Sequence, residues 1–440
     1  MDLLSVSLIV AFLAPLLASV VLGLATILLE RRPGEAVAYR LTAAGLAVSA
    51  LADVAAICAV YEVFGPAARA SLHGVEVDFG SWLTVGTYTI PVVALVDRVS
   101  MAFALLAAFL TSLVAAFSRT YLHREPGFLR FFVLLSLFAS GTQLVAWAGA
   151  LDVMFAGWEL MGWSSALYIG FFCERREPVR SSLRAFTTYR LCDVGFLLAM
   201  VTTHEFVGST RLAALQQETI VAPAATPLIA AMFVLAALGK SAQLPFSGWL
   251  PRAMEGPTPS SALFYGGLSI HVGLYLVLRV WPVVAASPVV RGATVAIGLA
   301  TALYATAVAR VHPDAKGALA HATLAQVGLI LAEIALGFTT LALFHILGHA
   351  SLRVWQYLRA PNTIHDAHRL GHHAAPPFLA AAPAGLAARS YLAALHRLRL
   401  DERIDALLSP VLLLARGLDR LDAAYWWTAT LDAPVAEDRR

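Results

Sequence analysis

Lysine is nearly missing from this 440-residue chain. Only Lys240 and Lys316 occur, and every other basic residue is an arginine. Arginine stays protonated in proteins, whereas burial readily moves a lysine toward neutrality. The chain therefore keeps titratable lysines at two places only. Charge of either sign is scarce: Asp, Glu, Lys and Arg make up 13% of residues against 59% hydrophobic ones, and mean hydropathy is +0.74. Soluble domains carry about 25% charged residues, so an ordinary soluble fold is excluded. The net charge of +3 does not point to nucleic acid; in a membrane chain the basic residues mainly set topology. Three cysteines, Cys58, Cys173 and Cys192, show no paired or metal-type spacing and read as small apolar fillers. A Walker loop, a dinucleotide glycine fingerprint, CxxC pairs and a Ser-His-Asp context are also missing. No cofactor or metal has a visible seat, and no enzymatic chemistry of its own is expected.

Long apolar runs are what the chain has instead. They predict an all-α polytopic membrane protein of about eleven spans, near 3–29, 41–64, 93–117, 130–149, 151–172, 184–203, 226–245, 260–281, 288–309, 318–337 and 339–357. The first has no basic residue ahead of it and is too long for a signal-peptide core, so it reads as a retained span. Alternation in "VEVDFGSWLTVGTYTIPV" suggests a short external hairpin. Basic loops follow the odd-numbered spans, which places the N-terminus outside and the C-terminus in the cytoplasm. Three regions result: N-terminal spans and an external loop over 1–91, a core over 92–360, and a tail over 361–440 with amphipathic, interfacial character.

Ionisable residues inside spans are costly and mark function by default. Glu159 sits mid-span with no basic residue within a turn, so its partner must come from another helix. Lys240 ends an apolar run and is followed by Pro245, which breaks the helix over 239–250. Broken helices in membranes occur where neighbours or water satisfy the freed backbone, often at ion sites. Arg190 and Asp193 lie three apart on one face, which is also what a self-neutralising pair would give. His345, His349 and Arg353 recur every four residues on one helix face and suit a proton relay. His321 adds a polar point to the preceding span. The tail cluster His365, His368, His372 and His373 reads as a solvated run rather than a metal site. Asp97 and Arg98 read as a local pair or an interfacial anchor. Together these residues suggest a proton-conducting membrane subunit.

The segments "FAGWELMGWSSALYIGFF", "FTTYRLCDVGFLLA", "ALGKSAQLPFSGWLPRAMEGPTPSSALFYGG", "DAKGALAHATLAQVG" and "FHILGHASLR", in this order, resemble the antiporter-like proton-translocating subunits. That family includes the L subunit (chain 5) of respiratory complex I and the large Mrp antiporter subunits. The resemblance implies that Glu159 modulates Lys240, with Asp193 beside the pair. It also implies that protons pass along an axis containing Lys316, His345 and His349. It departs at three points. Tyr265 stands where the family usually has a histidine, with His271 further on. Arg353 stands where the family has a lysine. The family's further helices beyond the eleventh span do not follow. Within the family, "FYGGLSIHVGLYL" and "LRAPNTIHD" look more like the DabB-type membrane subunit of inorganic-carbon accumulation complexes. That implies coupling of proton flux to CO2 hydration by a large zinc-containing DabA-like partner. A piece of a complex I-type or Mrp-type assembly, or a non-conducting scaffold, are the alternatives.

Overall fold

The structure, a computed structural model, describes residues 2–29, 32–70, 74–215, 225–360, 384–406 and a few positions between 409 and 418. The chain divides into two compact units, Met1–Pro377 and Phe378–Arg440. The described part of the second holds the helix Ala384–Leu395 and a short turn, Arg397–Arg399. The histidines of the tail cluster lie outside the described residues.

Helix dominates the first unit because a chain in lipid must satisfy its backbone within each segment. Helix α1 (Leu3–Leu28) is capped by Asp2, whose side chain accepts from the Ser5 amide, and packs along α2 (Glu35–Ala70). The hairpin β1 (Val75–Val85) and β2 (Tyr88–Val96) follows; it is antiparallel, lies on the alternating stretch that suggested it, and runs four residues further, to Val96. Then come α3 (Arg98–Tyr121), α4 (Phe128–Trp147), α5 (Leu151–Ile169), α6 (Arg176–Val207) and the short α7 (Leu212–Leu215). Helix α8 (Thr226–Lys240) ends at the expected break, which short turns and α9 (Trp249–Arg252) occupy. Next, α10 (Thr258–Ser260) runs through a π-helical segment, Ser261–Gly267, into α11 (Ser269–Arg279). The short α12 (Trp281–Ala285) leads to α13 (Pro288–Ala309), α14 (Ala315–Leu336) and α15 (Thr339–Arg359).

Each of the apolar runs holds a helix, but eight helices are long and apolar enough to cross a membrane by length and composition, among them Thr258–Arg279; Thr226–Lys240 is apolar but shorter. Helices α5 and α15 fall outside that set. The Thr258–Arg279 stretch is almost wholly buried and forms the centre of the unit, with α3, α8, α14 and α15 against it. Outward faces carry exposed apolar side chains such as Ile27, Leu51, Leu183 and Leu303, as a lipid-facing surface does.

The hairpin is tied down rather than free. Gly149 N–H donates to Val93 O at 2.8 Å, Tyr88 Oη donates to Asp152 at 2.7 Å, and Arg211 pairs with Asp78 at 2.5 Å. Asp97 corrects the sequence reading. It caps α3 in a capping box with Ser100, and its carboxylate pairs with Arg279, 182 residues away. Arg279 is buried on α11 and also donates to Tyr275 Oη at 3.0 and 2.8 Å. The sequence offered Asp97 and Arg98 a local pair or an interfacial anchor; the Arg279 partner was not legible because sequence distance is visible and folded distance is not.

Candidate functional site

Helix α8 reaches its site through glycine. A Cβ at Gly239 would lie 2.3 Å from Cys192 Cβ and 2.4 Å from its Sγ, so only glycine permits this approach to α6. Gly195 does the same on α6, where a Cβ would come within 2.7 Å of Met232 O. The close approach sets Lys240, at the last residue of α8, beside Arg190 and Asp193 of α6.

Several backbone groups freed by the helix break find partners within the fold. Gln243 N–H donates to Leu238 O at 2.8 Å and Ala242 N–H to Gly239 O at 3.3 Å. This is a Schellman-type ending with Ala242, not glycine, in the left-handed region at φ 51°. Trp249 Nε1 also donates to Gly239 O at 3.0 Å, and Leu244 N–H donates to Thr301 Oγ1 at 3.1 Å. The buried Gln243 donates to Ser241 O at 2.9 Å. Neighbouring helices thus do what water cannot do in hydrocarbon. Pro245 opens the turn that follows.

Lys240 is buried, with 1% of its surface exposed. Its Nζ donates to Trp158 O at 3.0 Å and lies over two aromatic faces, 4.8 Å from the Trp158 ring centre and 4.9 Å from that of Tyr189. Gly162 leaves it room: a Cβ there would meet Nζ at 2.8 Å. Among the described residues, neither Glu159 nor Asp193 forms an ion pair with it. Both are held by Arg190, whose guanidinium bridges Glu159 of α5 and, at 2.8 Å, Asp193 of α6. Glu159 has its partner from another helix, as expected; the partner is Arg190. The Arg190–Asp193 pair is present and shared rather than self-contained. Trp158 closes the circle, since its indole Nε1 donates to Asp193 at 2.5 Å while its carbonyl holds Lys240.

Tyr265, at one of the departures, links this site to the π-helical segment. Its hydroxyl donates to Ser165 O at 3.0 Å and lies 3.3 Å from Ser165 Oγ, which is also 3.3 Å from Tyr189 Oη. Gly266 and Gly267 let that segment pack on α15; a Cβ at Gly266 would lie 2.7 Å from Tyr357 Cδ2. The packing brings His271 Nε2 to 3.0 Å from His349 Nδ1. Arg353 Nε donates to His349 Nε2 at 3.0 Å. His345 lies one turn away, its ring centre 6.1 Å from that of His349.

Lys316 and His321 form a separate group at the start of α14. Lys316 is half-buried in the first turn, under the charges of Asp314 and Glu255. His321 Nδ1 bonds Gly317 O at 2.8 Å, and its ring centre is 5.1 Å from that of His312. Sequence reasoning missed Trp158, Tyr189, Glu333 and the buried Asp53, which accepts from Gln143 Nε2 at 2.8 Å and Trp147 Nε1 at 3.0 Å. Asp53 and Glu333 were visible as carboxylates inside apolar runs. Trp158 and Tyr189 carried no signal beyond adjacency to Glu159 and Arg190. Among the described residues no group of three His, Cys, Asp or Glu could hold a metal ion.

Two family models match the chain: NADH:quinone oxidoreductase/Mrp antiporter, TM, over residues 148–380, and NADH-ubiquinone oxidoreductase (complex I), chain 5 N-terminus, over 82–132. NAD(P)H-quinone oxidoreductase chain 5 of Synechocystis sp. is 31% identical over 300 residues, covering 67% of this chain and 44% of that protein. NADH-ubiquinone oxidoreductase chain 5 of Bos indicus is 33% identical over 285 residues, 65% of this chain and 46% of that one. The chain thus spans less than half the length of these curated relatives. Among solved structures, the Mrp complex from Dietzia sp. is similar with a TM-score of 0.66 at 25% identity, over 81% of this chain and 37% of that chain. An archaeal membrane-bound sulfane sulfur reductase shares the fold, with a TM-score of 0.62 at 17% identity, over 81% of this chain and 69% of that chain. With more than half of its length inside the first of these models, this multi-pass membrane chain belongs to the NADH:quinone oxidoreductase/Mrp antiporter membrane-subunit family.

Proposed function

We propose that the chain is a proton-translocating subunit of a larger membrane assembly of the complex I or Mrp kind, sited in a bacterial inner membrane with its N-terminus outside. The observation that carries this reading is the arrangement at Lys240. A fully buried ammonium is held by one carbonyl and two aromatic faces while Arg190 occupies both carboxylates beside it. A buried charge is tolerated only with compensating partners. Glu159 or Asp193, on leaving Arg190, becomes available to the ammonium; on returning, it leaves the ammonium without that partner, and the proton moves on. Trp158 couples the two states because it touches Lys240 and Asp193 at once. The hydroxyls of Tyr189, Ser165 and Tyr265 lead from Lys240 toward the π-helical segment. Beyond it, His271, His349 and His345 carry the proton along the axis, with Lys316 and His321 serving the other end of α14. Arg353 holds His349 and does not itself carry the proton. The assembly's electron-transfer or exchange chemistry belongs to partner subunits.

The test is purification of the chain with its native partners in mild detergent, identification of those partners, and proton uptake by the assembly in vesicles. Respiratory or antiporter subunits together with flux support the reading. A large zinc-containing DabA-like partner would move the coupled reaction to inorganic carbon and keep the proton path. An assembly that carries no protons would leave a scaffold.

A further inference from the structure

The histidine axis has a blocked end and an open one. Arg353 Nε–H donates to His349 Nε2, so that nitrogen is an acceptor. A neutral His349 then carries its proton on Nδ1 and donates it to His271 Nε2, which leaves His271 Nδ1–H to donate to Gly267 O. The three bonds run in one sense. A guanidinium has no acceptor and does not release its proton in proteins, so nothing passes through Arg353.

The remaining neighbour is His345, one turn along α15. Its Nδ1 lies 3.0 and 3.1 Å from the two carboxylate oxygens of Glu333, and its Nε2 lies 3.1 Å from Gln326 Oε1. Both ring nitrogens face acceptors, which is the environment that holds an imidazolium. If the Gln326 amide turns over, its NH2 donates to a neutral ring instead. The same site therefore accommodates both charge states. Exposure separates this pair from the rest of the axis. The His345 and Glu333 side chains are 25% and 22% exposed, whereas His271 is 0% and His349 6% exposed. Glu333 lies in the last turn of α14 and Lys316 in the first, roughly 25 Å apart at the helical rise.

We propose that Glu333, paired with His345, is the carboxylate through which protons enter or leave the histidine axis. The proposal rests on the proton-translocating reading above. A merely structural Glu333, tying α14 to α15, makes a different prediction, because Glu333→Gln keeps an acceptor for His345 but cannot carry a proton. The experiment reconstitutes the assembly with its native partners into vesicles enclosing a pH-sensitive dye and imposes a pH gradient. Glu333→Gln is expected to assemble normally and to lose about tenfold or more of the flux, as loss of a proton-transfer group does, while Glu333→Asp retains part of it. His345→Gln, which still donates to Glu333, is expected to lose flux equally and serves as the second probe should Glu333→Gln fail to assemble. Full flux in either variant, with Lys240→Ala blocked, overturns the port while the proton reading stands. No flux from the unsubstituted assembly overturns both.

Discussion

Gly239→Ala tests whether the α6–α8 approach builds the Lys240 site. Two effects oppose each other. Alanine in a helix is favoured over glycine by about 1 kcal/mol. Against that, the new Cβ would sit 2.3 Å from Cys192 Cβ and 2.4 Å from its Sγ. The first of these is bonded to the backbone and cannot swing away, so the helices must part by about 1 Å to reach an ordinary contact. Overpacking of this kind costs about 1–3 kcal/mol, and the clash is severe enough to put it at the upper end. The net loss is about 1–2 kcal/mol, read as a lower unfolding temperature in detergent. Parting the helices also moves Lys240 Nζ from Trp158 O and Asp193 from Arg190, so proton flux falls with stability. Cys192→Gly removes both clashing atoms. The double variant should therefore be less destabilised than the sum of the singles, with a coupling of about 1 kcal/mol or more. A Gly239→Ala protein as stable as the parent, or additive effects in the double variant, would refute the reasoning.

Arg190→Gln should cut flux by about tenfold or more without loss of assembly, and Arg190→Lys should not restore it, since one ammonium cannot bridge Glu159 and Asp193 as a planar guanidinium does; vesicle flux checks both. Arg279→Met strands Asp97 and should cost about 3 kcal/mol, the lower end for a broken buried pair because Asp97 is 15% exposed on its side chain; Asp97→Asn with Arg279→Met should cost less than the two singles combined, by thermal unfolding. Asp53→Leu leaves Gln143 and Trp147 with unpaired buried donors and should cost about 1–3 kcal/mol for each donor, whereas Asp53→Asn keeps an acceptor and costs less. The hydrogen bond from Arg211 holds the Asp78 carboxyl below the usual carboxylate range. A depressed native value contributes order above the free-chain value, near about pH 4, and loses it as pH falls through the native one. Protection of the hairpin amides, taken relative to their intrinsic exchange rate at each pH, should thus fall on acidification, and Arg211→Ala should lower it already at neutral pH.

The membrane class, the helix break after Lys240 and most of the ionisable positions could be read from the sequence, because each is a local violation of a strong local rule. A lysine or glutamate in an apolar run is conspicuous without any knowledge of its neighbours. Who meets whom was not legible. Arg190 looked like the private partner of Asp193, and only the crossing of α5 and α6 gives it Glu159 as well. Asp97 looked like the partner of Arg98 or an interfacial anchor, and the folded chain brings Arg279 to it from α11. His345 and His349 shared a helix face on paper, yet the structure gives His349 to His271 and His345 to Glu333. Glycines carried the missing information in a form that could not be decoded: Gly239, Gly162 and Gly266 are each required by an atom from a distant segment. The length of the spans misled in the other direction, since α5 and α15 read as full spans yet fall outside the set of helices long and apolar enough to cross a membrane.

The most direct test of the central claim is proton flux through the native assembly in vesicles with Lys240→Ala and Lys240→Arg compared with the unsubstituted chain. On the proposed reading Lys240 acts by giving up its proton, so both variants should be blocked although the arginine keeps the charge. Flux at the parent rate in Lys240→Arg would show that only the charge matters, and flux at the parent rate in Lys240→Ala would show that protons do not pass this site at all.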